Sequence, residues 1–138
     1  MRLEKNLKTA LSGDSVSTII LVEDSTLVRE RLREMLEEFP QIKLLGEYDN
    51  AAAAITSLLQ QPADIVLLDI KLKSSSGLDV LRHVKGTHPA TKVIVFTNHS
   101  DDEFRELFIR LGADYFLSKT HETQRLRETL AMLSAEPT

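Results

Sequence analysis

From Thr18 onward, short apolar runs alternate with stretches in which apolar residues recur every three or four positions. That is the pattern of parallel strands joined by crossover helices. Five repeats can be read. Thr18 to Val22 reads as a strand, apolar after its threonine, followed by a helix from about Ser25 to Phe39 with Val28, Leu32, Met35, Leu36 and Phe39 inward. Pro40 stops it. Lys43 to Tyr48 is a second strand, polar enough for a sheet edge, and Asn50 then caps an alanine-rich helix to about Gln60, closed by Pro62. Asp64 to Asp69 is the third strand, and its run Ile65, Val66, Leu67, Leu68 suits a strand covered on both faces. After the loop KLKSSSG, Leu78 to Lys85 predicts a short helix and Lys92 to Phe96 the fourth strand. Ser100 to Leu111 predicts a helix capped by Ser100, with Asp101, Asp102 and Glu103 in its first turn and Gly112 at its end. Tyr115 to Lys119 is the fifth strand, and Glu122 to Leu133 the last helix, with Leu126, Leu130 and Leu133 inward.

Right-handed crossovers with helices on both faces make a doubly wound α/β sheet. It occupies residues 18–133. Residues 1–17 form an N-terminal extension in which Leu3, Leu7, Ala10 and Leu11 share one helical face before Gly13, Asp14 and Ser15 break it. This is a short amphipathic helix, either loosely docked or partner-binding. Residues 134–138, SAEPT, are expected to be a flexible tail.

The 138 residues suit one domain, and 42% hydrophobic with 28% charged residues excludes a wholly disordered chain or a membrane bundle. No apolar run is long enough to cross a bilayer. A net charge of -4 argues against direct nucleic-acid binding, and with no Trp little is available for stacking on bases. The absence of cysteine removes thiol catalysis and cysteine-held metals and fits a reducing, cytoplasmic compartment.

Doubly wound sheets collect their chemistry beyond the carboxyl ends of the strands. Glu23 and Asp24 follow the first strand, Asp69 ends the third, Thr97 follows the fourth and Lys119 ends the fifth. Singly, each is explained as a cap, a turn residue or a solvated charge. Together they place three carboxylates, one hydroxyl and one ammonium on a shared rim. Carboxylates so crowded repel one another unless a hard cation sits among them, and oxygen ligands suit Mg²⁺. A phosphoryl group there would share its oxygens between the metal, Lys119 and Thr97, leaving Asp69, at the end of the buried central strand, as the nucleophile.

The motifs ILVEDS, IVLLDIKL, SGLDVL, VIVFTN and GADYFLSK together resemble the receiver domain of bacterial two-component response regulators over roughly Thr18 to Leu133. The resemblance implies a flavodoxin-like five-stranded order 2-1-3-4-5 and phosphorelay signal transduction. Asp69 would take a phosphoryl group from a sensor histidine kinase, a phosphotransfer protein or a small phosphodonor. Mg²⁺ would be held by Asp24 directly, Glu23 through water, Asp69, and the backbone carbonyl of Lys71. Thr97 and Lys119 would contact the phosphoryl oxygens, and Thr97 with Phe116, three residues before the lysine, would form the switch. Tyr115 points to the opposite face of the strand.

The family's usual signalling surface, around the fourth helix, fifth strand and fifth helix, would here draw on Arg105, Phe108, Arg110, Tyr115, Leu117, Gln124 and Arg127, whose alternative reading is as core or solvated helix residues. Lys73 and Thr120 stand where the family commonly has proline. Lys71 and His99, two positions after Asp69 and Thr97, flank the approach of a hydrolytic water and are expected to tune dephosphorylation. The implied role is a signalling module that assists its own phosphorylation and dephosphorylation. The short tail favours a stand-alone receiver over one cut from a longer regulator with a DNA-binding or enzymatic output. A flavin module would need backbone amides where EDSTL supplies acids, and a phosphate-ester hydrolase would need a general acid-base that is not visible. A receiver that binds partners without phosphorylation requires the five rim residues not to act together.

Overall fold

Ile19, Ile20, Leu21 and Val22 of β1 (Ser17–Val22) are fully out of water. A strand this apolar needs both faces covered and neighbours on both sides. The computed structural model, which describes residues 16–135, supplies both. β1 lies between β2 (Ile42–Tyr48) and β3 (Ile65–Leu68), parallel to each. β4 (Lys92–Thr97) and β5 (Tyr115–Ser118) extend the sheet beyond β3, also in parallel. The order β2-β1-β3-β4-β5 is the expected doubly wound one. The helix predicted within residues 1–17 falls outside the described residues.

The helices are α1 (Thr26–Leu36), α2 (Ala51–Gln60), α3 (Gly77–Thr87), α4 (Asp102–Arg110) and α5 (Thr123–Ala135). Successive strand residues face opposite sides of the sheet and so build two core layers. Ile20, Val22, Val66, Leu68 and Val95 pack with Ala54 and Leu58 of α2, Val80 and Leu81 of α3, and Phe108 of α4. Ile19, Leu21, Leu67 and Ile94 pack with Leu32 and Leu36 of α1 and Leu126, Leu130 and Leu133 of α5. β2 is an edge strand as its polarity predicted, and its pairing with β1 slips between Ile19 and Ile20, which leaves Leu45 unmatched.

Several boundaries differ from the sequence reading. α1 ends at Leu36, because the amides of Glu37, Glu38 and Phe39 turn back to the carbonyls three residues earlier. That tighter turn reaches Phe39, which Pro40 bars from α geometry. α4 is not capped by Ser100. Asp101, the residue just before the helix, keeps a non-helical backbone at ψ 149°, and its side chain makes no capping bond. Gly112 does end α4: at φ +111° it lets its own amide reach Ile109 and that of Ala113 reach Phe108. α3 starts one residue earlier than expected, where Ser76 accepts the Leu78 amide at 3.1 Å, and runs two residues further to Thr87, where the His88 amide donates to the Val84 carbonyl. α5 continues through Ser134 to Ala135, two residues into the expected tail.

A small antiparallel ribbon, Lys71–Leu72 with Ser75–Ser76, was not foreseen. Its turn holds Ser74 at φ +55°, and Ser75 Oγ accepts the Ala51 amide at 2.9 Å, tying the loop after β3 to the start of α2.

Candidate functional site

Parallel strands deliver all their carboxyl ends to one edge, and here the pairing runs one residue past the strands. The Glu23 amide donates to the Tyr48 carbonyl at 2.9 Å and the Asp69 amide to the Val22 carbonyl at 3.0 Å. Both acids are therefore pinned through the backbone before their side chains make any contact. One carboxylate oxygen from each of Glu23, Asp24 and Asp69 lies within 4.8 Å of the others. Glu23 and Asp69 are buried, whereas Asp24 is exposed.

Lys119 follows β5 and closes the nest. Its Nζ donates to Asp69 Oδ2 at 2.8 Å and to Glu23 Oε1 at 2.5 Å. Glu23 Oε2 accepts the Ser25 amide at 3.0 Å, and Asp69 Oδ1 accepts the Ile70 amide at 2.6 Å. Burial is the largest influence on Glu23 and pushes its pKa above the usual carboxylate value, despite hydrogen bonds from Lys119 and Ser25. Burial pulls the Lys119 ammonium down, but its hydrogen bonds to Asp69 and Glu23 together outweigh that effect, and its pKa ends above the ordinary lysine value. Lys119 is thus held as a cation. One ammonium against three clustered carboxylates leaves the nest negative, and an all-oxygen donor set open to solvent at Asp24 fits a hard divalent ion such as Mg²⁺.

Thr97 is completely buried, and its Oγ1 accepts the His99 amide at 3.0 Å. Its carbonyl accepts the Lys119 amide at 2.9 Å, so the ends of β4 and β5 are joined. His99 is half-buried with its ring edge-on to Phe104, centroids 6.4 Å apart. Lys71 is exposed in the ribbon, two residues past Asp69.

Phe116 is buried and packs against Phe108 at 6.2 Å between centroids, with the Arg105 guanidinium 5.0 Å over its ring. Tyr115 joins the opposite layer, as strand alternation requires. Phe108 and Leu117, expected on an exposed signalling face, are core residues at 2% and 3% exposure. Apolar residues on a helix facing the sheet and on a strand covered by α5 have no route to solvent. Arg110 and Gln124 are exposed, Arg105 and Tyr115 are half-buried, and Arg127 pairs with Glu38 at 3.2 Å.

Sequence reasoning missed three supports of this site. Arg29 donates to the Glu23 carbonyl at 2.7 Å from the first turns of α1. Glu122 accepts the Ser118 amide, next to Lys119, at 3.0 Å. Gly77 lies against the Asp69 carbonyl, where a Cβ would be 2.2 Å from the oxygen. Only Gly77, inside the motif SGLDVL, carried a signal in the sequence.

This sheet with an acid nest and a lysine at its carboxyl edge defines a receiver-type α/β module. Residues 19–131 match the response regulator receiver domain, and the chain belongs to that family of two-component signalling domains. It is 33% identical over 117 residues to the transcriptional regulatory protein CitB of Klebsiella pneumoniae, covering 85% of this chain and 50% of that one. It is 31% identical over 110 residues to a protein-glutamate methylesterase/protein-glutamine glutaminase of Koribacter versatilis, covering 78% of this chain and 30% of that one. The crystal structure of a LuxR-family two-component response regulator from Aurantimonas sp. SI85-9A1 matches with a TM-score of 0.77 at 26% identity, covering 89% of both chains. The chain spans half or less of the length of these two curated relatives. Among the described residues, no helix is long and apolar enough to cross a membrane.

Proposed function

We propose that this domain works in the cytoplasm, where Asp69 accepts a phosphoryl group from the phosphohistidine of a sensor histidine kinase or a phosphotransfer protein, and that it then signals through a changed protein-binding surface. The observation that carries this reading is the Lys119 ammonium 2.8 Å from Asp69 inside a nest of three carboxylates. In the transfer, an Asp69 carboxylate oxygen forms the new P–O bond as the P–N bond of the donor breaks and its imidazole leaves with the electron pair. Lys119, held as a cation, stays beside Asp69 to meet the charge that arrives on the phosphoryl oxygens. The Thr97 hydroxyl accepts from the His99 amide and so keeps its own proton to donate to a phosphoryl oxygen. Asp24, Asp69, the Lys71 carbonyl and, through water, Glu23 would hold Mg²⁺, which when bound neutralises the acids and the phosphoryl oxygens.

Thr97 and Phe116 are the proposed switch, read out on the face of α4, β5 and α5 by Arg105, Arg110, Tyr115, Gln124 and Arg127. Lys71 and His99 are proposed to set the lifetime of the phosphorylated state. Nucleic acid is not a proposed direct ligand of this domain, in keeping with its net charge of -4. A second reading makes the domain the regulatory part of a longer regulator with a DNA-binding or enzymatic output. It is favoured by the curated relatives, a transcriptional regulator and a methylesterase of which the chain matches half or less.

The test is incubation with acetyl phosphate with and without Mg²⁺, followed by intact-mass analysis. A single Mg²⁺-dependent phosphoryl adduct is expected, stable in acid, labile to hydroxylamine and absent in Asp69→Asn. An unmodified native chain, or steady turnover of the donor without an adduct, would overturn the proposal.

A further inference from the structure

We infer that Glu122 is a positioning residue for Lys119, braced from α4 by Arg105; the inference rests on the phosphoacceptor reading of the site. β5 is the edge of the sheet, with β4 on one side only. Lys119 bonds toward β4 through its amide, so by strand alternation the backbone groups of Phe116 and Ser118 face the open edge. At such an edge they would ordinarily be left to water. Here two of them are taken by side chains. Glu122 Oε1 accepts the Ser118 amide at 3.0 Å, and Arg105 Nη1 donates to the Phe116 carbonyl at 3.1 Å.

Glu122 closes on Ser118 twice, because its own amide also donates to the Ser118 carbonyl at 2.9 Å. The loop enclosed between them is only Lys119, Thr120 and His121. Within it, the Thr120 amide donates to Ser118 Oγ at 3.2 Å and Thr123 Oγ1 donates to the Lys119 carbonyl at 3.4 Å. Both backbone groups of Lys119 are thereby engaged, one by β4 and one by α5. A lysine side chain is long and mobile, so its ammonium is only as well placed as the backbone from which it extends. The charge-assisted Ser118–Glu122 bond fixes the point at which the chain leaves the strand.

Arg105 supplies the second half of the device. Its Nη2 lies 3.5 Å from the same Glu122 oxygen that holds Ser118, while its guanidinium covers Phe116. As a half-exposed ion pair this contact adds little stability by itself. Its geometric consequence is larger, since α4, the edge of β5 and the Lys119 loop all meet at one carboxylate.

The experiment compares Glu122→Ala, Glu122→Gln and Glu122→Asp with the native chain, following Asp69 phosphorylation by acetyl phosphate with Mg²⁺ and amide hydrogen exchange at Ser118 and Lys119. Glu122→Ala is expected to slow phosphorylation about tenfold, in the rate constant more than in the half-saturating donor concentration, because a small misplacement of a charge-stabilising group is costly. Its Ser118 amide should exchange faster. Glu122→Gln, whose side-chain carbonyl can still accept the Ser118 amide, should recover to within about threefold of the native rate. If Glu122→Ala does not fold, Glu122→Asp serves in its place: it keeps the charge but is one methylene short of Ser118, and should be slowed at least about threefold. A native rate in Glu122→Ala or Glu122→Asp, or equal slowing in Ala and Gln, overturns the inference while leaving Asp69 as acceptor. A native chain that takes no phosphoryl group on Asp69 overturns both readings.

Discussion

Gly77 lies so close to Asp69 that a Cβ on the glycine would sit 2.2 Å from the aspartate's carbonyl oxygen. The Gly77 amide also donates to the Ile70 carbonyl at 2.7 Å, so α3 starts in direct contact with the loop that carries the proposed acceptor. Backbone, unlike the end of a long side chain, cannot step aside. Gly77→Ala must therefore shift either the start of α3 or the peptide after Asp69. We expect a loss of about 1–3 kcal/mol in urea unfolding, the usual cost of overpacking. Phosphorylation of Asp69 should slow along with it, and a variant with native stability would show that the loop yields freely.

Lys119→Met tests the electrostatics. Without the ammonium, Glu23 and Asp69 are left buried and unpaired. Removing one partner of such a group costs about 3 kcal/mol or more. Unfolding followed in EDTA should show this loss, and Mg²⁺ should restore part of it by binding the folded state alone. A loss of the same size in EDTA and in Mg²⁺ would mean that the acids do not bind the ion together.

The same cation predicts a pH dependence. The Lys119 pKa is raised in the folded chain above its ordinary 10.5. Its contribution to stability is fully present below 10.5 and is lost as pH rises through the higher folded value. Glu23, whose pKa burial also raises, acts with the same sign in a lower window, since its ionisation favours the unfolded chain and stability is lost as pH climbs through the carboxylate range. In metal-free buffer the native chain should lose stability along an alkaline limb that is shallower in Lys119→Met. Identical limbs in the two proteins would contradict the assignment.

Lys71→Asn and His99→Ala address the lifetime of the phosphorylated state. Lys71 is exposed beside the acceptor loop, while His99 is tied to Thr97 through its amide and to Phe104 through its ring. Each substitution is expected to change the decay of phospho-Asp69 severalfold, measured after removal of the donor, with little change in Mg²⁺ affinity. Unchanged decay in both would leave them as ordinary loop residues.

Much of this molecule is legible in one dimension because its signals are local. Ile65, Val66, Leu67 and Leu68 announce a strand buried on both faces, Asn50 announces a helix start, and Gly112 a helix end. Once the strands are parallel, the residues just past them must share an edge, which is how Glu23, Asp24, Asp69, Thr97 and Lys119 could be gathered from positions up to 96 apart. Residue type alone marks Ser100 as a cap and cannot report that the non-helical residue just before α4 is Asp101. Phe108 and Leu117 could be read as surface anchors because an apolar residue in sequence does not state which element will cover it.

The chain's own pattern of apolar runs and strand-end polar residues determined the strands, the two layers and the candidate site residues, since each signal is local and parallel strands then bring their ends to one edge. Tertiary structure alone decided that Lys119 bridges Glu23 and Asp69, that Phe116 is pressed between Phe108 and Arg105, and that Glu122 fastens the edge of β5. Those contacts require groups from different elements to arrive within hydrogen-bonding or packing distance. Such distances are set by how helices and strands pack against one another, to fractions of an ångström that no local propensity encodes.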